Sequence, residues 1–228
     1  MACAHNKIEA ALDRWQESHW YLHQIERHYH DADALRYSMN AFIRSLREIP
    51  DIVTMELQNH NDFPVWHKPV RRALELEDSL FSQIIRHRRH IVHKSMLKPE
   101  SKAFIASIRG YTIKMQFGFY VDPFEDSDAA MQRFIELSQK DPILMQVLAP
   151  DEIQVLALIR EWHIEGFDEE IIESFRRAWI RVTSYLSDVL SYLGETPFPE
   201  GIPECFNDPR EFRYKKYHGL HYNVRAQP

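Results

Sequence analysis

The chain has 228 residues, long enough to bury one sizeable core, with appendages as the default reading for the remainder. Its 28 Lys and Arg stand against 34 Asp and Glu, a formal charge of -6, so it has no bulk attraction for nucleic acid or anionic membranes. Cys3 and Cys205 lie near opposite ends without metal or redox spacing, which fits a reducing compartment. No apolar run is long enough for a membrane span and Met1 to Lys7 lack a signal-peptide core, so cytoplasm is the simplest address.

The periodicity predicts an amphipathic helix over Asn6 to Tyr29, with Ile8, Leu12, Trp15 and Leu22 as its stripe. Towards the end that stripe turns polar, through His19, His23 and Glu26. A second helix is expected from Asp31 or Asp33, either able to cap it, with Leu35, Met39, Phe42, Leu46 and Ile49 inward. Pro50 is expected to interrupt it, with a helical restart over Asp51 to Asn59. Asn59 to Phe63 reads as a turn and Val65 to Glu75 as a shorter helix. Asp78 or Ser79 then caps a helix that Pro99 stops.

Beyond Pro99 the period changes. Ile113, Met115 and Phe117 alternate with Thr112, Lys114 and Gln116, and Phe104 to Ile108 precede Arg109-Gly110. This predicts a β-hairpin with the apolar set buried and Lys114 and Gln116 wet. Helices are expected again over Asp126 to Lys140, over Asp151 to His163 after a short apolar piece between Pro142 and Pro150, and from an Asp168 cap to Leu193. The prolines after Gly194 lead into a basic, aromatic end that reads as an extended tail. The expected fold class is mainly α: an up-and-down bundle over 1–99, a β-hairpin insertion over 100–124, helices completing the same domain over 125–194, and a tail over 195–228.

The helix from Ser79 to Leu97 carries Arg88-Arg89-His90-Ile91-Val92-His93. Phe81, Ile84, Ile85, Ile91 and Val92 share one arc at about 100° per residue, and Arg88 falls near its middle. A guanidinium there must meet a carboxylate, line a cleft or face a second subunit. His93 lies roughly 140° round from Arg88, so the two converge only if the helix bends, ends or opens, or if a partner chain completes the site. Arg89 and His93, four apart, share a face without distortion, which leaves two pairings open.

The Arg88-x4-His93 spacing resembles the Arg-x4-6-His motif of the HEPN superfamily, small helical domains that include many metal-independent ribonucleases. The resemblance covers roughly residues 6 to 97, with 168–193 as a closing helix. It implies an endoribonuclease, of the kind found among toxins and defence effectors, with no cofactor. In it His93 is the general base and Arg88 stabilises phosphate charge, in a cleft at a homodimer interface. RNA and a neutralising partner protein are the implied partners. Arg86, His87, Arg89, His90 and Lys94 supply a local basic patch for phosphate. The sequence departs from the family at Arg89, where Asn, Asp or His is common, which puts the polar network beside Arg88 in question. A non-catalytic RNA-binding or scaffold module is the alternative.

Two other constellations stand apart. His19, His23 and Glu26, with His28 and His30 beyond, have the helical spacing of a zinc or di-iron site; the plainer reading is partly buried histidines beside Trp15 and Trp20. Glu26 is also a candidate counter-ion for Arg88. In the tail, Tyr214, Tyr217 and Tyr222 with Lys215, Lys216 and Arg225 offer stacking and charge for RNA, or pin the tail across the protein.

Overall fold

The structure, a computed structural model, describes residues 7–60, 62–94, 97–110, 112–141, 155–199 and 205–218. Cys3, Tyr222, Arg225 and the apolar piece between Pro142 and Pro150 lie outside the described residues.

Helix α1 (Glu9–Arg27) folds back on α2 (Ala32–Leu57), whose N-cap Asp31 accepts a hydrogen bond from Ala34 N at 2.8 Å. The inward positions Leu35, Met39, Phe42, Leu46 and Ile49 are all fully buried. Pro50 does not interrupt α2, contrary to expectation. An internal proline costs about 3 kcal/mol. Leu46, Ile49 and Val53 around it are fully buried, each stabilising by roughly 1.5–3 kcal/mol, so packing outweighs the lost backbone bond. The Pro50 carbonyl also accepts from Thr54 Oγ1 at 2.8 Å and Arg71 Nη1 at 3.4 Å.

Helix α3 (Phe63–Arg72) runs into a π-helical turn, Ala73–Glu77, and then α4 (Ser79–His93), where Asp78 accepts from Phe81 N at 2.8 Å. The long core helix, α6 (Ile171–Tyr192), is capped by Glu170 rather than Asp168. Its Phe175 stacks on Phe42 of α2 with ring centroids 4.6 Å apart, which joins the two halves of the helical core.

The sheet overturns the mainly α reading. Strands β1 (Glu100–Arg109), β2 (Thr112–Phe119), β3 (Val155–His163) and β4 (Tyr214–Tyr217) form one antiparallel sheet in the order β2-β1-β3-β4. The fold is mixed α/β, not an up-and-down bundle with a hairpin insertion. β3 takes the place of the helix expected up to His163. Leu156 to Arg160 are buried in succession, because a central strand is covered on both faces and loses the two-residue alternation. Short α5 (Ser127–Ser138) covers one face with Ala130, Met131 and Phe134 against Ala103, Ile105 and Leu158. The tail enters through α7 (Pro209–Arg213) and becomes edge strand β4.

The hairpin itself forms, but Ile113 is 38% and Met115 40% exposed, where burial was expected. β2 is an edge strand, and its register shifts between Ser107 and Ile108. Met115 therefore lies opposite Ser107 and Ile113 opposite Ile108, neighbours that point to opposite faces of β1. Only Phe117 and Phe119 reach the core under α5, while Lys114 and Gln116 are exposed as expected.

Sheet and helices meet at Trp162, Arg160 and His30. Trp162 is fully buried in the helical core and donates from Nε1 to the Tyr29 carbonyl at 3.0 Å. Arg160, also fully buried, donates to Ser101 Oγ, Glu125 O and Asp122 O at 2.8, 2.7 and 3.0 Å. His30 Nδ1 lies 2.8 Å from Ser127 Oγ at the start of α5. Burial, with the Lys215 and Arg160 charges adding to it, pushes the His30 imidazole down to about 3.

A depressed folded-state value contributes stability that is present above the unfolded pKa, about 6.5, and is lost as pH falls through the folded value. Acidifying from pH 7 to 5 should therefore cost about 2 kcal/mol through this residue. Denaturant melts of wild type and His30→Gln across that range check it: the variant's stability should depend less steeply on pH. Parallel curves would show that His30 charges freely in the folded protein.

Candidate functional site

Among the described residues the candidate side chains fall at two places: the C-terminal end of α4, and the face of α1 that meets the segment around Cys205.

On α4 the buried line is Phe81, Ile84 and His87, with Ile85, Arg88 and Ile91 half-buried and Val92 46% exposed. The helix is turned by roughly 50° from the orientation its apolar arc predicts. His87 is admitted to the interior because its Nε2 lies 2.9 Å from the Glu165 carbonyl and its ring stacks on Phe167 at 5.2 Å. Burial is the main cause that lowers its pKa, which favours the neutral imidazole, and the Glu165 and Phe167 contacts take His87 out of the phosphate-binding set.

Arg88 does not meet the carboxylate that its position suggested. Its Nε is buried without a hydrogen-bond partner, and among the described residues no ion pair reaches it. Glu26, the candidate counter-ion, is engaged by Arg176 instead, at 2.6 Å. The helix stays α-helical through His93 and ends there, with Lys94 N donating to His90 O at 2.8 Å. The π turn precedes α4 and does not fall between Arg88 and His93. The two side chains thus keep their separation of about 140° within one chain.

His93, Arg89, Arg86 and Lys94 are exposed and His90 is half-buried; Arg86 faces Glu165 at 3.8 Å. Cationic side chains here also suit the negative end of the helix dipole. Ile85, Arg88 and Val92 follow one another at helical spacing along one partly exposed strip.

On α1, His19 and His23 lie one turn apart with ring centroids separated by 4.6 Å. Trp179 of α6 lies 4.7 Å from the His19 ring and stacks on Trp15, so the histidines border the aromatic patch the sequence suggested. Trp20 stands outside it, 56% exposed. Burial is the main cause that lowers the His19 pKa, with the neighbouring His23 next, which favours the neutral imidazole.

Glu26 is buried and engaged three times: it accepts from Arg176 Nη2 at 2.6 Å, Asn207 Nδ2 at 2.7 Å and His23 Nδ1 at 3.1 Å. That draws it out of the ligand set proposed with His19 and His23. In its place stands Cys205, whose Sγ is 3.3 Å from His19 Nε2. His19, His23 and Cys205 each offer a ligand atom, all within 4.8 Å of one another. Beside them opens a cavity of about 810 Å³, lined in part by Glu26, His30, Asn207 and Lys216.

Sequence spacing had no means to find Cys205, 186 positions from His19. His28 and His30 take no part; His30 is turned to Ser127. In the tail, Lys215 pairs with Asp128 at 2.7 Å and the Tyr217 hydroxyl donates to Ser127 O at 2.9 Å. Those contacts pin the tail along the sheet edge.

The fold and these two places define a mixed α/β protein, with a basic, exposed helix end on one helix and a histidine–thiol cluster on another. No helix among the described residues is long and apolar enough to cross a membrane. The chain belongs to the family of bacteriophage lambda protein ea47, whose model matches residues 2–198. That stretch contains α1 to α6 and ends before Cys205. No curated protein and no solved structure matches the chain.

Proposed function

We propose that the protein is a HEPN-like, metal-independent endoribonuclease whose active cleft forms where the α4 ends of two copies meet. The observation that carries this reading is Arg88: a half-buried arginine whose Nε has neither a hydrogen bond nor a carboxylate. A buried guanidinium N–H without a partner is costly, and such a group is kept where a ligand or second chain completes it. His93 stands exposed at the end of the same helix, amid Arg86, Arg89, His90 and Lys94.

In the reaction, His93 takes the proton of a ribose 2′-hydroxyl and the 2′-oxygen attacks the adjacent phosphorus. The bond to the 5′-oxygen breaks and that oxygen takes up a proton, leaving a 2′,3′-cyclic phosphate. Arg88 neutralises the charge that builds on the phosphoryl oxygens. Arg89, His90, Arg86 and Lys94 hold neighbouring phosphates, which positions the strand without reading its bases. Because Arg88 and His93 diverge on an unbroken helix, each cleft takes Arg88 from one copy and His93 from the other.

The test is incubation of an unstructured RNA with the purified protein in excess EDTA, followed by end-group analysis. Cleavage with cyclic phosphate ends is expected. Binding without cleavage would favour a non-catalytic RNA-binding module, and cleavage that requires added metal would overturn this chemistry.

A further inference from the structure

We infer that His19, His23 and Cys205 form a binding site for a zinc-class divalent cation, with Glu26 orienting His23 behind it. The three side chains come from two distant parts of the chain. His19 and His23 stand one turn apart on α1, and Cys205 arrives after α6 has ended. Bonds of about 2.3 Å to sulfur and about 2.0 Å to nitrogen set tetrahedral ligand atoms roughly 3.3–3.7 Å apart. The observed 3.3 Å between Cys205 Sγ and His19 Nε2 falls in that range, and the whole set lies within 4.8 Å.

The surroundings supply what a histidine ligand needs. Glu26 accepts from His23 Nδ1 at 3.1 Å, so the lone pair of His23 is on Nε2, the ring edge that remains for a metal. Glu26 is itself fixed by Arg176 and Asn207, and Asn207 lies two residues beyond Cys205. The carboxylate therefore braces one ligand and the segment carrying another. His19 is backed by Trp179 at 4.7 Å, which limits its rotation.

A thiol beside one imidazole could equally describe an activated nucleophile. The second histidine favours metal, because a nucleophile–base pair has no use for another lone pair within 4.8 Å. Three protein ligands leave the fourth position to water, on the side of the 810 Å³ cavity. The bound ion fastens the segment after α6 to α1. None of the α4 residues takes part, so the metal site stands independently of the ribonuclease reading.

The experiment is a titration of the metal-stripped, reduced full chain with cobalt(II), a spectroscopic stand-in for zinc. One equivalent should bind, with the intense visible bands of a tetrahedral ion and a near-ultraviolet thiolate-to-cobalt band. Zinc should displace it and should raise the melting temperature of wild type. Cys205→Ser, at an exposed position, should remove the near-ultraviolet band and weaken binding by about tenfold or more. His19→Ala should weaken it similarly, and circular dichroism would verify that both variants fold.

Pale octahedral spectra, or binding unchanged in Cys205→Ser and His19→Ala, would overturn the site. So would rapid alkylation of Cys205 that saturating zinc fails to slow, which would point to the nucleophile. RNA cleavage measured in EDTA is unaffected by any of these outcomes, so failure here is separable from failure at α4.

Discussion

Arg160→Ala should destabilise the protein by about 3–5 kcal/mol, a large fraction of the net stability of a folded domain. The side chain is fully buried, and burial pushes its guanidinium down to about 10, which still leaves it charged at neutral pH. What holds it is a set of three oxygens from two segments: Ser101 of β1, and the carbonyls of Asp122 and Glu125 in the loop that leads to α5. Trp162 lies under the guanidinium at 3.8 Å, and Trp162 is in turn tied to the Tyr29 carbonyl in the helical core. Removing the side chain therefore takes a fully buried donor away from the Ser101 hydroxyl and from the Asp122 and Glu125 carbonyls, at the joint between sheet and helices. Arg160→Met replaces the volume but not the donors, and should recover only part of the loss. Urea melts monitored by tryptophan fluorescence check this. A cost below about 1 kcal/mol for the alanine variant would show that the joint holds without those bonds.

Arg88→Ala and His93→Ala should each lower RNA cleavage by about 10²–10⁴ while the protein remains folded. The fold should survive because of what surrounds Arg88. A structural arginine tied to a carboxylate leaves a buried charge behind when it is removed, at about 3–5 kcal/mol. Arg88 has no such partner among the described residues, so its removal should change stability by less than about 1 kcal/mol. His93 is exposed at the helix end and should be equally tolerant. Cleavage rates read beside denaturant midpoints separate the alternatives: large destabilisation by Arg88→Ala would mean that its role is structural. Arg86→Ala should weaken RNA binding modestly and make it less salt-dependent, as removal of a phosphate contact does.

The helical half was readable because its signals are local. Asp31 and Asp78 cap where they stand in sequence, and the inward line of α2 repeats at helical period through a proline that packing overrides. The sheet was half readable. β2 lies at the sheet edge and shows alternation, with Phe117 and Phe119 on the packed side, whereas β3 is covered on both faces and reads as a plain apolar run. A signal was present in that run: Arg160, a lone cation between Ile159 and Trp162, marks a buried polar joint rather than a helix face. The edge position of β2 and its shifted register, which expose Ile113 and Met115, depend on partners that only the tertiary structure selects.

The candidate sites divide in the same way. Arg88 and His93 were found by spacing along one helix, but which neighbours Arg88 lacks is a tertiary fact. His87 looked like one more cation in a basic run until Phe167 and the Glu165 carbonyl claimed it. His19 and His23 were visible as a pair, and Glu26 looked like their third ligand because it lies at the right helical spacing. The fold instead turns Glu26 toward Arg176 and Asn207 and brings in Cys205. No local pattern predicts a contact across so much of the chain.

The most direct test of the composite cleft is to mix the two inactive variants, Arg88→Ala and His93→Ala, under conditions that exchange subunits. Random pairing puts half of the dimers in the mixed form, and each mixed dimer has one complete cleft of two. The mixture should therefore recover roughly a quarter of wild-type cleavage, although neither variant cleaves alone. No recovery from an exchanged mixture, with the wild type active in the same assay, would contradict a cleft built from two α4 ends.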